Sequence, residues 1–231
     1  MDSDLRKSMF AYYEARAPEY DEIYDLGGSA ASISAPDAYR SEAWILLDLV
    51  GEHCRGHILD IPCGTAFWLP AYAASCPSIT LVDQSAGMLS QSRERSREIG
   101  VESRCEFIRA DVLEHPFTED CYDSALVGFF LSHLTDAQLE KFFQTLKRTL
   151  RPGGHFLILD SIWSDERARS RGKEGRQSRT LNDGRQFDIY KRYFDRAVFA
   201  EFEQRYYLTL EIAHAGRVFI TAVGTFSGYS V

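Results

Sequence analysis

Short apolar segments recur between residues 57 and 160 with helical patterns among them, and this alternation restricts the fold more than any other feature. The apolar segments are 57–61, 78–83, 105–109, 122–129 and 155–160, and the helical patterns are 66–74, 85–99 and 136–150. Strands that are apolar on both faces and alternate with helices are typical of a parallel sheet covered on both sides. The pattern therefore predicts a doubly wound α/β domain.

The last third of the chain departs from this alternation. Residues 197–204 have a helical pattern, and residues 205–213 and 217–224 read as two strands joined by a tight connection. We therefore expect an antiparallel hairpin after the parallel part of the sheet. Before the parallel part, residues 37–50 predict an amphipathic helix.

Residues 165–185 are rich in arginine and lack apolar periodicity. They carry seven basic against four acidic side chains in an otherwise acidic protein. Two interpretations remain open: a lid that steers an anion, or a solvated and mobile loop. Four aromatic residues that follow could line a pocket: Phe187, Tyr190, Tyr193 and Phe194.

Composition excludes several classes of function. The 231 residues carry a formal net charge of −8, which disfavours nucleic acid as a partner. No apolar run approaches the ~18 residues that a membrane span needs, and the first residues do not resemble a signal peptide, so we expect no membrane partner and a cytoplasmic location. Five scattered cysteines without CxxC spacing predict free thiols and no metal site. The length fits one domain over residues 1–231.

Acidic residues stand at the ends of three successive predicted strands. They are Asp60, Asp83 and Asp111, and a turn of small residues, 62–66, follows the first strand. Open α/β sheets bind ligands at this edge, and a carboxylate such as Asp83 can accept two hydrogen bonds from a ribose diol. Asp83 could instead be the N-cap of the next helix, and the turn could simply allow close packing.

These segments resemble the class I S-adenosylmethionine-dependent methyltransferases, in particular enzymes that act on small metabolites. Five stretches resemble the family's motifs in order: LDIPCGTA at 59–66, LVDQSAGML at 81–89, IRADV at 108–112, LVGFFLSHL at 126–134 and LRPGG at 150–154. Pro62 and Ala66 replace two glycines of the first motif, and Pro62 lacks an N–H donor. The resemblance implies a Rossmann-like, seven-stranded, mostly parallel sheet with an antiparallel C-terminal hairpin.

The resemblance also implies where the cofactor, S-adenosylmethionine, binds. Asp60 and Gly64 would lie at its methionine part, together with the Cys63 amide, and Gly128 would offer its carbonyl to the ammonium group. Asp83 would bind the ribose, Met88 would pack on the adenine, and Asp111 and the Val112 amide would bind the adenine edge. Tyr20, in an N-terminal lid over residues 1–35, would reach the carboxylate or the sulfonium. Alternatively, the aromatic residues of this segment only pack on the core.

His133 follows the fourth strand, where the family places groups that face the transferred methyl group. A histidine there could act as a base, or it could only orient the loop. Asp160, at the end of the fifth strand, is a second catalytic candidate, with loop anchoring as the alternative. Residues 162–194 would form an insertion on the acceptor side.

The expected function is methyl transfer to a small-molecule acceptor whose reacting atom, oxygen, nitrogen or carbon, is undetermined. The alternatives are a nicotinamide-dependent oxidoreductase or a protein that binds S-adenosylmethionine without transfer. The first fits poorly, because Gly64 is the only glycine among residues 60–70 and G-x-G-x-x-G is absent. We expect a monomer or a homodimer.

Overall fold

A computed structural model describes residues 1–25, 33 and 35–227. The rest of the predicted lid segment, residues 26–32 and 34, lies outside the described residues. The helices are α1 Ser3–Arg16, α2 Glu22–Asp25, α3 Pro36–His53, α4 Leu69–Tyr72, α5 Ala86–Glu98, α6 Asp136–Thr149, α7 Asp165–Ala168 and α8 Arg196–Tyr206. The strands are β1 His57–Asp60, β2 Ser78–Asp83, β3 Cys105–Arg109, β4 Tyr122–Gly128, β5 Leu150–Ser161, β6 Glu174–Thr180, β7 Gln186–Arg192, β8 Leu208–Ala215 and β9 Phe219–Phe226.

Seven strands form the main sheet in the order β3-β2-β1-β4-β5-β9-β8. Strands β1 to β5 pair in parallel, whereas β9 runs antiparallel to both β5 and β8. The predicted seven-stranded, mostly parallel sheet with an antiparallel C-terminal hairpin is confirmed. The chain order reverses between β1 and β4, so their carboxyl ends flank the crevice where such sheets bind ligands.

The sheet is covered on both faces because successive side chains along its strands point to opposite sides. In β1, Ile58 lies in the hydrophobic cluster on one face and Leu59 in the cluster on the other. The same alternation separates Leu81 from Val82 in β2. Complete burial of one such side chain contributes about 1.5–3 kcal/mol, so the two clusters fix the sheet and its carboxyl edge.

The helix predicted at 66–74 is shorter in the structure, and its predicted start was wrong. Ala66 has a φ of +54°, a left-handed conformation that cannot continue a right-handed helix, so α4 begins only at Leu69. The residues after α4 form one 3₁₀ turn, Ala73–Ser75.

The solvated-loop interpretation of the arginine-rich segment was also wrong. β6 and β7 pair antiparallel as a separate hairpin, which packs against α1. A small cluster holds this contact together, in which Leu181 and Ile189 of the hairpin are buried with Tyr12 of α1. β6 has no apolar periodicity because its inward residues are Gly175, Gln177 and Arg179 rather than apolar ones.

None of the helices in the described ranges combines the length and the apolar character that a bilayer crossing requires.

Candidate active site

A cavity of about 840 Å³ opens at the carboxyl ends of β1 to β4. Most of the sequence-predicted cofactor residues line it: Tyr20, Cys63, Gly64, Asp83, Met88, Asp111, Val112 and Gly128. These residues come from six segments of the chain, and the sheet brings them together because parallel strands end at the same edge.

Asp83, the last residue of β2, is buried at the centre of this edge. Its carboxylate accepts hydrogen bonds from the Gly64 N–H (3.0 Å) and the Ser85 N–H (2.8 Å). Burial raises the pKa of Asp83 to about 6, although these bonds lower it. The N-cap of α5 is Ser85, whose hydroxyl accepts from the Met88 N–H, so the capping alternative for Asp83 is wrong.

Asp60 does not line this cavity. Its carboxylate is buried and accepts a hydrogen bond from the Tyr72 hydroxyl at 2.8 Å. Burial raises the pKa of Asp60 to about 7, and the nearby charge of Asp83 acts in the same direction. Asp60 therefore ties β1 to α4 beneath the turn rather than facing the cavity.

The turn after β1 uses its own N–H groups internally. The Cys63 N–H donates to the Val82 carbonyl (2.8 Å), and the Gly64 N–H is the one bonded to Asp83. Gly64 has a φ of +53°, and a Cβ added there would meet only the Tyr20 ring, at 3.9 Å. The turn therefore offers the cavity an open backbone surface, with its amides committed to the neighbouring strand.

Two side chains at the far end of the cavity come from the loop after β3 and from α5. Val112 and Met88 are buried and apolar, as a wall against a planar base requires. Asp111 accepts from the Leu113 N–H (3.0 Å) and pairs with Arg6 of α1 at 2.5 Å. The acidic residue predicted for an adenine amino group thus also anchors the N-terminal helix.

The N-terminal segment covers the cavity, with Met9, Tyr13, Tyr20 and Tyr24 among its lining residues. Glu14 accepts a hydrogen bond from the N–H of Gly87 at the start of α5 (3.1 Å). Tyr20 lines this cavity, and α1, which precedes it in the chain, is held to α5 by this bond. Burial raises the pKa of Tyr20 to about 12, so its hydroxyl stays neutral.

A second cavity, of about 570 Å³, adjoins the first. The two cavities share five lining residues: Tyr13, Tyr20, Tyr24, Phe129 and His133. Phe129, directly after β4, has a φ of +53°, a conformation that is strained for an aromatic residue and that often occurs at functional sites. A molecule in the second cavity would therefore contact the same side chains that line the first.

His133 lies in this shared wall, in the 3₁₀ turn Leu131–His133 that follows β4. Its Nδ1 lies 2.7 Å from the Tyr190 carbonyl oxygen, which can only accept, so Nδ1 carries the proton. Nε2 is then free to accept from the Tyr13 hydroxyl, also at 2.7 Å. Burial, followed by the positive charge of Lys191, lowers the pKa of His133 well below its usual value.

Asp160 lines neither cavity. Its buried carboxylate accepts from the Ser132 N–H (3.0 Å) and the Ser161 N–H (2.7 Å), and it forms an ion pair with Lys191 at 3.2 Å. Asp160 therefore positions the turn that carries His133 and the lysine of the second cavity.

Several lining residues were not predicted. Tyr13, Arg16 and Lys191 line the second cavity, and Trp68 lines the first. The only local signal was the presence of charged residues among aromatic ones, as in YYEAR at 12–16 and YKRYF at 190–194. Within the described part of the chain, no group of three or more His, Cys, Asp or Glu side chains is arranged to hold a metal ion.

The sheet order and the cavity at its switch point define the class of the protein, a Rossmann-like α/β protein of the kind that holds a nucleotide cofactor there. A family model described as "Methyltransferase domain" matches residues 58–154. Residues 58–154 thus match a methyltransferase domain, and the five motifs in order make the chain similar to the class I S-adenosylmethionine-dependent methyltransferases.

Curated relatives are methyltransferases of bacteria. The chain is 29% identical over 161 residues to a demethylmenaquinone methyltransferase of Clavibacter sepedonicus, covering 69% of this chain and 62% of that protein. It is 33% identical to the ubiquinone/menaquinone biosynthesis C-methyltransferase UbiE of Klebsiella pneumoniae, covering 68% of this chain and 61% of that protein. The chain thus spans about three fifths of the length of these relatives.

Solved structures share the fold over nearly the whole chain. DhpI in complex with SAH superimposes with a TM-score of 0.76 at 23% identity, covering 97% of this chain and 98% of that one. A 1,6-didemethyltoxoflavin-N1-methyltransferase of Burkholderia thailandensis superimposes with a TM-score of 0.63 at 14% identity, covering 97% of this chain and 90% of that one.

Proposed function

We propose that this protein transfers a methyl group from S-adenosylmethionine to a small-molecule acceptor. The observation that carries the proposal is the pair of adjoining cavities, one lined by Asp83, Met88 and Val112 and the other separated from it by Tyr13 and His133. When bound, the cofactor supplies an electrophilic methyl group: the acceptor's lone pair bonds to its carbon, the C–S electron pair stays on sulfur, and S-adenosylhomocysteine remains.

The residues of the first cavity fit this cofactor. Asp83 is ionised at neutral pH and can accept from the ribose hydroxyls. Met88 and Val112 can pack against adenine, and Asp111 can accept from its amino group. Gly128 ends β4 with its backbone at the cavity, and the Tyr20 ring can face a sulfonium, which aromatic faces attract.

The main task of the chain is to align the acceptor, because in-line displacement at carbon depends on proximity and orientation. His133 is the base in this proposal. Its Nε2 would take a proton from the acceptor atom, either directly or through the Tyr13 hydroxyl. Asp160 acts as a positioning residue through the Ser132 N–H and Lys191.

The two cavities also suggest which segment of the chain serves the cofactor and which serves the acceptor. We assign residues 1–35 to a lid over the cofactor and residues 162–194 to the acceptor side, within one domain that spans residues 1–231. The acidic net charge supports a small acceptor rather than a nucleic acid. Five free cysteines support a reducing compartment such as the cytoplasm. A monomer or a homodimer would each leave this arrangement complete.

The test is ligand-dependent stability followed by turnover. S-adenosylhomocysteine at ~100-fold excess over its Kd should stabilise the fold by about 2.7 kcal/mol, whereas NAD and NADP should not. That gain corresponds to a Tm increase of roughly 5–10 °C for a chain of this size. Methyl-labelled S-adenosylmethionine should then label a small-metabolite pool. Stabilisation by a nicotinamide cofactor instead would favour the oxidoreductase, and binding without any labelling would favour a non-transferring protein.

A further inference from the structure

Four basic side chains from four separate elements converge on the second cavity. They are Arg16 at the end of α1, Arg167 in α7, Arg179 in β6 and Lys191 in β7, and each residue is buried, with exposed fractions of 6%, 3%, 8% and 6%. No carboxylate occurs among the described residues that line this cavity. Such a cluster is unexpected in a chain with a net charge of −8, so it indicates a specific role for the positive charge.

Two arginines of this cluster, Arg16 and Arg179, are held by neutral groups. Arg16 donates to the Tyr12 hydroxyl at 2.8 Å and lies over the Tyr20 ring, 5.0 Å from its centroid. Arg179 donates to the side chain of Gln177 (2.8 Å) and to a backbone carbonyl. Neither arginine forms an ion pair with a carboxylate of residues 1–25 or 35–227, and the buried Nε of Arg16 has no hydrogen-bond partner there.

Lys191 has one counter-charge, the buried carboxylate of Asp160. The cluster therefore holds a surplus of positive charge, and its field acts on the surrounding groups. Burial alone would raise the pKa of Tyr193, but the charges of Lys191, Arg179, Arg167 and Arg171 outweigh it and the net shift is downward. A buried charge without a counter-ion is destabilising, and a bound anion would offset this cost.

We propose that the methyl acceptor carries a phosphoryl or phosphonyl group, and that this dianion binds among Arg16, Arg167, Arg179 and Lys191. The inference rests on the proposed function, because it places the acceptor in the cavity next to the cofactor. A dianion matches the surplus charge better than a carboxylate does, and its three terminal oxygens can accept from several guanidinium groups at once.

The same reasoning disfavours a neutral quinone ring as the occupant, although the curated relatives act in quinone biosynthesis by name. An uncharged ring would bury these cations without neutralising them. The lining suits a metabolite whose anionic end lies among the basic residues and whose other end reaches the wall formed by Tyr13 and His133.

The experiment measures thermal stability of the whole chain saturated with S-adenosylhomocysteine at constant ionic strength. The probes are inorganic phosphate, methyl phosphate, methylphosphonate and acetate. We expect a saturable rise in Tm with phosphate and with one or both of its methyl analogues, and none with acetate. If methyl phosphate raises Tm more, the acceptor is a phosphate ester. If methylphosphonate raises Tm more, the acceptor is a carbon-linked phosphonate.

Two variants and a matched control locate the effect. Arg179→Gln and Arg16→Met should each weaken phosphate binding at least tenfold, while the affinity for S-adenosylhomocysteine is retained. Arg176→Gln removes an exposed arginine from the same strand, one that pairs with Asp2 and Asp188, and should leave phosphate affinity unchanged. Without any anion, Arg179→Gln should raise Tm, because it removes a buried charge that has no counter-ion, whereas loss of a purely structural arginine would lower it.

Three results would overturn the inference while leaving the proposed function intact. The first is an equal rise in Tm with phosphate and with acetate, and the second is no rise with either when S-adenosylhomocysteine is bound. The third is a rise in Tm with phosphate that is unchanged in both Arg179→Gln and Arg16→Met. Failure of S-adenosylhomocysteine itself to bind would remove the proposed function and this inference with it.

Discussion

At the scale of single residues, Asp83 illustrates how burial tunes a carboxylate at the proposed cofactor site. The sheet edge removes its carboxylate from water, while the N–H groups of Gly64 and Ser85 keep it oriented. Because burial raises its pKa to about 6, the carboxylate changes charge just below neutral pH. A group in this state is a strong acceptor at pH 7 and a weak one at pH 5.

This gives the first prediction, on cofactor affinity. Asp83→Ala should weaken S-adenosylhomocysteine binding at least tenfold with the fold intact, because Ser85 and not Asp83 caps α5. In the unmodified chain, protonation below pH 6 should lower affinity about tenfold between pH 7 and pH 5. Calorimetric titration at several pH values measures both effects.

The matched control is Asp83→Asn, which keeps the shape of the side chain and removes its titration. Its residual affinity should not change between pH 7 and pH 5. If it falls as steeply as in the unmodified chain, another group controls binding.

The second prediction concerns proton transfer. His133→Ala should lower kcat by roughly 10²–10⁴ without a matching loss of cofactor affinity. Tyr13→Phe keeps the ring and removes the hydroxyl bonded to Nε2, so a comparable loss indicates a relay through Tyr13. Asp160→Asn should mainly raise the KM of the acceptor, because Asp160 contacts Lys191 rather than the first cavity.

Steady-state kinetics with the identified acceptor separates these roles. Near-full activity of His133→Ala would show that alignment alone supports transfer. A loss of kcat in Asp160→Asn as large as in His133→Ala would contradict the positioning role.

At the scale of elements, the packing of α1 on α5 decides whether the cofactor cavity is covered. Gly87 allows this approach, because a Cβ there would lie 3.1 Å from both the Ala17 Cβ and the Glu14 carbonyl oxygen. Its N–H also donates to the Glu14 side chain. The first turn of α5 thus holds α1 through the close approach at Gly87 and one hydrogen bond.

The third prediction tests that contact. Gly87→Val should displace α1 and speed dissociation of S-adenosylhomocysteine several-fold, which stopped-flow measurements can follow. Valine is no worse than glycine inside a helix, since glycine has the lowest helix propensity after proline, so α5 itself should not suffer from the change.

Ser90→Val on the exposed side of the same helix is the control and should leave the dissociation rate unchanged. Equal rates in Gly87→Val and the unmodified chain would show that α1 does not retain the ligand.

At the scale of the whole molecule, the two cavities are coupled electrostatically through their shared wall. The pKa of His133 is lowered by burial and then by the positive charges of Lys191, Arg179 and Arg16. These same charges surround the proposed anion. An anion bound in the second cavity would therefore change how readily His133 can accept a proton.

The fourth prediction follows from that coupling. Phosphate or methylphosphonate bound among the basic residues should raise the pKa of His133, because a negative charge offsets the repulsion between those residues and the imidazolium. Titration of the imidazole by nuclear magnetic resonance measures the shift. In Arg179→Gln, which should bind the anion weakly, the same anion concentration should leave this pKa unchanged. An unshifted pKa with saturating anion in the unmodified chain would contradict the coupling.

The sequence by itself determined the main sheet and the cofactor edge of this protein. Strands such as β1 and β2 are buried on both faces, and their apolar runs and following turns are local signals that specify strand and helix directly. Parallel strands end at one edge, so Asp83 and Asp111 could be placed near each other from order along the chain alone.

Only the tertiary structure decided the second cavity and the burial of Asp60 away from the first cavity, where it bonds to Tyr72. The hairpin β6–β7 has few inward apolar residues, and it is held by packing on α1, so its local pattern resembled a loop. Arg16 and Lys191 are 175 positions apart, and no spacing rule brings them together. The two residues meet because distant elements pack together. Local propensity and periodicity do not specify that packing.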